Sequence, residues 1–297
     1  MSACRRRSER AGRRPLRTAG LALAALLALA GPGRAEAPAR VVSINLCTDQ
    51  LALMLAAPGQ LVSVSRLAHD PRSSAMAEAA AALPANSTLA EDVFLHRPDL
   101  VLAGTFTSRA TVSMLRRLGV DVVELAPATS LDDVSDRLRA VGGALGREAQ
   151  AERAVARFEA DLAALRTELA ARPRAALYYA NGYTNGDRTL AGAIVAAAGF
   201  ANVATELGLA HGGYLSLEEL VMAVPDLVVT GRSSEGASRA ESVLAHPALS
   251  ATGGGRASTT DRDWICGTPH VLRAVQDMAA ARDALEAETV PSSGRMR

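Results

Sequence analysis

The chain has 297 residues, 49% hydrophobic and 21% charged, enough for two modest globular units with cores of their own. Every one of its 32 basic residues is arginine, and eight of them lie in residues 1–37 against two acids, Glu9 and Glu36. That leaves 24 basic and 29 acidic residues beyond residue 37, a net charge of −5, which disfavours nucleic acid as a partner.

Residues 1–37 read as a signal peptide: a run of arginines from Arg5 to Arg17, an apolar stretch from Ala19 to Ala30, and a small-residue cleavage pattern at Ala35-Glu36-Ala37. About 12 apolar residues are too few to span a bilayer. Cleavage after Ala35 or Ala37 fits equally, and Arg13-Arg14 leaves Sec and twin-arginine export both open. Cys4 precedes the apolar stretch, so it cannot become a lipid-bearing first residue. The expected product is soluble and exported, periplasmic where the host has an outer membrane, with two cysteines left, Cys47 and Cys266.

From Pro38 the pattern alternates strands with helices. A strand at Arg40–Ile44 runs into a loop, Asn45–Asp49, and a helix from Gln50 to Ala57. Strand Leu61–Ser65 ends at Arg66; an alanine-rich stretch, a strand ending at Gly104, helix Arg109–Leu118, strand Val120–Leu125 and helix Leu131–Leu145 follow. Residues 147–172 carry apolar side chains at Ala151, Val155, Phe158, Leu162, Leu165 and Leu169, spacings of three and four that predict one long helix. At 1.5 Å per residue, roughly 24 residues span about 36 Å, enough to link two domains. Beyond Pro173 come strand Ala175–Ala180, loop Asn181–Arg188, helix Leu190–Ala198, a loop through His211 and Tyr214, and a closing helix from about Pro269 to Leu285.

The two sides of the long helix repeat one another. Leu89–Gly104 and Ser216–Gly231 align without a gap, about 127 positions apart, pairing Glu91 with Glu218, Pro98 with Pro225, Asp99 with Asp226 and Gly104 with Gly231. Each copy reads as a short helix with acids in its first turn, a Pro-Asp turn and a buried strand. The predicted fold is therefore α/β: two Rossmann-like lobes with parallel sheets, residues 38–146 and 173–297, joined by a single helix at 147–172, with a ligand cleft between the lobes at the carboxyl ends of the strands. No G-x-G-x-x-G, P-loop, nucleophile elbow, H-E-x-x-H or C-x-x-C is present, so the sequence offers no catalytic residues, no metal site and no cofactor of its own.

With its duplicated Glu-x-x-x-x-x-x-Pro-Asp, Glu91–Asp99 and Glu218–Asp226, the chain resembles the substrate-binding proteins of ABC importers for cobalamin, ferric siderophores and haem. The resemblance covers about residues 40–288. It implies an exported receptor, a monomer that carries a metal chelate or corrinoid to an inner-membrane permease dimer with its ATPase subunits, docking through Glu91 and Glu218. Another reading of those glutamates is local: acids in a first turn also serve as caps, Thr88 with Glu91 and Ser216 with Glu219. An exported two-lobe enzyme of transferase type, acting on a small molecule in the same cleft, is the alternative function.

On the ligand side, Asn45, Cys47 and Thr48 follow the first strand, and Arg66 and Arg232 follow later ones, where guanidinium groups suit an anionic ligand. Arginine is so common here that its presence in such loops is also expected by composition. Tyr183 and Tyr214 stand beside glycines in predicted loops, where a large side chain has little core to fill, and Trp264 matches a place where the family often carries a ligand-facing tryptophan, with core packing as its other reading. Of the adjacent Tyr178 and Tyr179, one should be core. His211 is the histidine to test as an axial ligand. Cys47 and Cys266 leave three readings open: a disulfide, two buried thiols, or a metal ligand among them. Cobalamin, siderophore and haem are not separated by sequence.

Overall fold

The computed structural model describes residues 36–166, 169–231, 238–250, 252, 254–259 and 261–289. The expected signal peptide therefore lies almost wholly outside the described residues. Residues 37–297 form one compact unit.

The first half holds strands β1 (Val41–Ser43), β2 (Leu61–Ser65), β3 (Ala85–Asn86), β4 (Leu100–Gly104) and β5 (Asp121–Leu125), all parallel in the order β3-β2-β1-β4-β5. Helices α1 (Leu46–Leu55), α2 (Ala77–Ala80), α3 (Ala90–Leu95), α4 (Arg109–Arg117) and α5 (Asp132–Ala144) connect and cover them, and α6 (Glu148–Leu165) leaves toward the second half. There β6 (Arg174–Tyr178), β8 (Ala201–Asn202), β10 (Leu227–Thr230) and β11 (Gly255–Ser258) make a second parallel sheet, β11-β10-β6-β8. A two-stranded antiparallel flap, β7 (Tyr183–Thr184) with β9 (Gly213–Tyr214), rises beyond β6. The remaining helices are α7 (Leu190–Ala197), α8 (Val203–Glu206), α9 (Leu217–Ala223), α10 (Pro247–Ser250), α11 (Asp261–Trp264) and α12 (Val271–Thr289).

Setting aside the two-residue edge strand β3, both sheets obey one plan: the first strand lies between the second and third, and the fourth stands outside the third. The two repeat copies occupy the same place in it, a short helix (α3 or α9) feeding the third strand (β4 or β10). Side chains alternate along these strands and separate the cores. Val41, Leu100, Leu102, Ala175, Leu177, Leu227 and Val229 join the large core that also takes α5, α6, α7 and α12. Val42, Val101 and Ala103 pack instead with Val93, Val112 and Leu115 on the far face of the first sheet, and Ala176, Tyr178 and Val228 with Leu215 and Leu220 on the far face of the second.

Helix α6 buries Ala151, Val155, Phe158 and Leu162, as the spacing predicts, but it is shorter than expected. It stops at Leu165, with Arg166 extended at φ −72° and ψ 127°, so it spans about 27 Å rather than 36 Å. Leu169 is drawn instead against Gly199 of the second lobe, where a Cβ on the glycine would come within 2.7 Å of Leu169 Cδ1. No breaker in the local sequence announces this; a contact distant in sequence decides it. The loop expected at Asn45–Asp49 is also corrected. Asn45 is extended at φ −147°, and its Oδ1 accepts from Cys47 N at 3.0 Å and Thr48 N at 3.4 Å, so the first helix starts at Leu46.

Candidate functional site

Beyond the carboxyl ends of β1, β4 and β5 lies a cavity of about 80 Å³. Asn45 and Cys47 come to it from the β1 side, Gly104 to Phe106 from β4, and Leu125 to Ala128 from β5, while Ile265 and Gly267 close it from the second lobe. Strands β1 and β4 are where the strand order of the first sheet reverses, the position at which such sheets leave a crevice. Gly104 gives the Asn45 side chain its room there, because a Cβ would fall 2.9 Å from Asn45 Nδ2.

The lobes are covalently tied at this rim: Cys47 and Cys266 form a disulfide with Cα atoms 5.1 Å apart, closing the open choice among bridge, buried thiols and metal ligand. The bond brings Gly267 over the first lobe, where a Cβ would meet Ala128 Cβ at 2.3 Å. Such a tie could not be read from a sequence separation of 219.

The other proposed ligand residues divide. Thr48 lines the cavity but is buried, and its hydroxyl is engaged by Ser43 Oγ at 2.8 Å and Asn45 O at 3.0 Å, which holds the β1–α1 corner. Trp264 is 8% exposed and belongs to the large core, a correction to its ligand-facing reading: the disulfide two residues on pins its segment inward, and the ring fills the space beneath. Arg66 is exposed on the turn after β2 and does not line the cavity. Arg232 lies outside the described residues. Tyr183 and Tyr214, by contrast, meet: they are register partners across the β7–β9 flap, with ring centroids 5.8 Å apart and planes at 77°. Tyr214 is 74% exposed, Tyr183 partly so, and neither fills a core. Of the neighbouring pair, Tyr178 is core and Tyr179 is raised well above the usual phenol range by burial, so it stays neutral. His211 is exposed on the turn before β9.

Three cleft residues were missed. Phe106, 87% exposed, stands in the loop after β4 and lines the cavity. Ile265, also exposed, flanks the disulfide. Arg137 reaches the cavity from α5, and a helix-interior arginine carries no sequence signal of that.

On the outer faces, Glu91 and Glu218 occupy equivalent positions in the first turns of α3 and α9, and both are exposed. The Ser216–Glu219 capping box is present, with Ser216 N to Glu219 Oε2 at 2.9 Å and Glu219 N to Ser216 Oγ at 3.2 Å, and it leaves Glu218 outside. The Thr88–Glu91 box is not formed. Thr88 sits at φ 63°, Leu89 is the cap residue, and Asp92 takes the local donor, accepting from Ser87 N at 2.7 Å. Both glutamates are thus released from capping by a neighbouring acid.

Against known proteins, the model of the family described as "Periplasmic binding protein" matches residues 41–257. The chain belongs to the periplasmic binding protein family. Among curated relatives of this family member, a cobalamin-binding protein of Halobacterium salinarum is 32% identical over 216 residues, 71% of this chain. The match takes in 58% of that relative, so the chain spans less than two thirds of its length. Solved structures show the same fold. The periplasmic heme-binding protein RhuT from Roseiflexus sp. RS-1 aligns with a TM-score of 0.67 at 24% identity, over 83% of this chain and 98% of that one. The periplasmic vitamin B12 binding protein BtuF of Vibrio cholerae aligns with a TM-score of 0.62 at 17% identity, over 84% and 98%. A Fe3+-hydroxamate transport protein from Saccharomonospora viridis aligns with a TM-score of 0.63 at 22% identity, over 83% and 93%. These relatives are binding proteins.

Proposed function

We propose that this periplasmic binding protein is an exported receptor for cobalamin or an iron chelate, siderophore or haem, which it holds in the inter-lobe cleft and delivers to an inner-membrane ABC importer. The observation that carries this reading is a set of exposed aromatic side chains: the Tyr183–Tyr214 pair on the flap beyond β6 in one lobe, and in the other Phe106 beyond β4, which lines a cavity too small to hold a macrocycle. Exposed rings grip a flat, largely apolar ligand by its faces. The Halobacterium salinarum relative leans the choice toward a corrinoid. The chain brings no cofactor; the metal arrives inside the ligand. In this reading the protein delivers its ligand as a monomer, from the periplasm, to a permease dimer with its ATPase subunits; the paired exposed glutamates, Glu91 and Glu218, support the docking step, since they suit fixed guanidinium groups on a symmetric partner. The exported-enzyme alternative draws no support from the relatives named.

The test is direct titration. Residues 38–297 are purified and offered cyanocobalamin, haemin and ferric siderophores in turn, followed by absorbance and calorimetry. Saturable binding of one of them at micromolar concentration or tighter, weakened in Tyr214→Ala, is the expected result. Silence across the panel would remove the reading.

A further inference from the structure

Arg137 is the charged residue among those that line the cavity, and among the described residues no ion pair meets it. It is partly buried on α5, between Val134 and Leu138 of the core. Its Nε is buried and has no hydrogen-bond partner, and among the described residues its guanidinium makes no ion pair. Other arginines of the same region are satisfied: Arg139, two residues on, bonds Glu152 at 3.0 Å and approaches Glu159 at 3.8 Å and Asp136 at 3.9 Å, and the buried Arg282 donates to Ala198 O at 2.7 Å and to Asp283. The acids nearest to Arg137 are engaged elsewhere. Asp133 caps its own helix, accepting from Thr129 N at 2.7 Å and Ser130 N at 3.1 Å, and Asp136 turns to Arg139. Burial lowers the Arg137 pKa, with Asp133 and Asp136 only partly opposing it.

A half-desolvated cation with no counter-ion costs stability, and a folded chain keeps one where something else supplies the anion. The surroundings say where that anion would sit. Gly267 lies directly over the side chain, 3.6 Å from its Cδ and Nε when a Cβ is built there, so the guanidinium is confined beneath the disulfide-pinned segment. Its open side is the cavity with Thr105, Phe106, Ala128 and Ile265. At about 80 Å³ the cavity takes a carboxylate or a phosphate group, not a ring system.

We infer that Arg137 and this cavity form an anion subsite that binds a carboxylate or phosphate arm of the ligand while the body of the ligand rests on the exposed aromatic side chains. The inference rests on the receptor reading for its ligand but not for its chemistry, since a guanidinium in this setting pairs with any oxyanion of suitable size. Among the proposed ligands, haem propionates and the phosphodiester of cobalamin both supply such a group.

The experiment has two arms. In the first, the Nε–Hε resonance that disappears in Arg137→Gln is followed in wild-type protein during titration with inorganic pyrophosphate; a saturable shift is expected. In the second, wild type and Arg137→Gln are titrated with haemin and its dimethyl ester, and with cyanocobalamin and dicyanocobinamide, which lacks the phosphodiester. Arg137→Gln should weaken the charged member of the pair that binds by roughly tenfold or more and leave its uncharged counterpart unchanged, with Arg137→Lys recovering part of the loss. A still resonance together with equal binding of the charged ligand by wild type and Arg137→Gln would overturn the subsite. So would equal losses for charged and uncharged ligands, which mark a structural role. If pyrophosphate shifts the resonance but no member of the panel binds wild type, the subsite stands and the receptor reading falls.

Discussion

Asp99 and Asp226, 127 positions apart, do the same job. Asp99 accepts from Ala39 N at 2.7 Å and Arg40 N at 3.0 Å at the start of β1, and Asp226 accepts from Arg174 N at 2.7 Å at the start of β6. The arginines continue the symmetry. Arg40 donates to His96 O at 2.7 Å and Arg97 O at 3.1 Å; Arg174 donates to Ala223 O at 2.5 Å and Val224 O at 3.4 Å. Those carbonyls close α3 and α9, where Arg97 and Val224 both take positive φ, 50° and 46°. Each Pro-Asp turn therefore welds the third strand's helix to the first strand of its lobe. Asp226→Ala should lower unfolding free energy by about 1–3 kcal/mol, read as a lower guanidinium midpoint with an unchanged slope.

The disulfide closes a loop of 219 positions between the lobes. Replacing Cys47 and Cys266 together by serine should cost on the order of 2–5 kcal/mol. Denaturant unfolding with and without dithiothreitol checks it: the reductant should shift the wild-type midpoint and leave the double variant where it is. Residues 38–297, denatured without reductant, should show no titratable thiol.

Asp49 is fully buried in α1 and held by Ser65, whose hydroxyl donates at 2.5 Å and whose N–H donates at 3.2 Å. Burial outweighs these bonds and pushes its pKa up to about 6. Because the folded value lies above the unfolded one, the group's stabilising contribution is complete below about pH 4 and is lost as pH rises through 6. Asp49→Asn, which keeps an acceptor for Ser65 N and offers a donor to its hydroxyl, should flatten the stability profile between pH 4 and 7. The variant should gain on wild type by about 2–3 kcal/mol across that window, measured by unfolding at a series of pH values.

The two helices proposed to dock, α3 and α9, share more than their glutamates. Four residues after Glu91 stands Leu95, 78% exposed, and four after Glu218 stands Met222, 82% exposed, so each helix shows an acid and a large apolar side chain on one face. Two such patches on a rigid frame suit a symmetric partner with a basic group beside an apolar socket. Leu95→Glu and Met222→Glu should each reduce ligand uptake in reconstituted vesicles several-fold with ligand affinity unchanged. Normal uptake by the double variant would separate these residues from docking.

The sequence by itself determined the architecture, because its signals are local or repeated: short apolar runs at β1, β4, β6 and β10, buried on both faces and alternating with helices, period-3.6 burial along α6, and a duplicated segment whose two copies fall at the same point of two sheets. It also marked Tyr183 and Tyr214, since large side chains beside loop glycines have little core to fill. What only the tertiary structure decided depends on residues far apart in the chain. Leu169 leaves the helix line for Gly199, so α6 ends seven residues early. Cys266 reaches Cys47 and carries Trp264 into the core while leaving Ile265 at the rim. Asp92, rather than Glu91, meets Ser87, which leaves Glu91 at the surface. Arg137 looks like any arginine on an amphipathic helix until the neighbouring acids are seen bound elsewhere and the opposite lobe is seen closing over it. Periodicity records which face of an element is buried; it holds no record of which distant group arrives to cover that face, and the cleft is made of such arrivals.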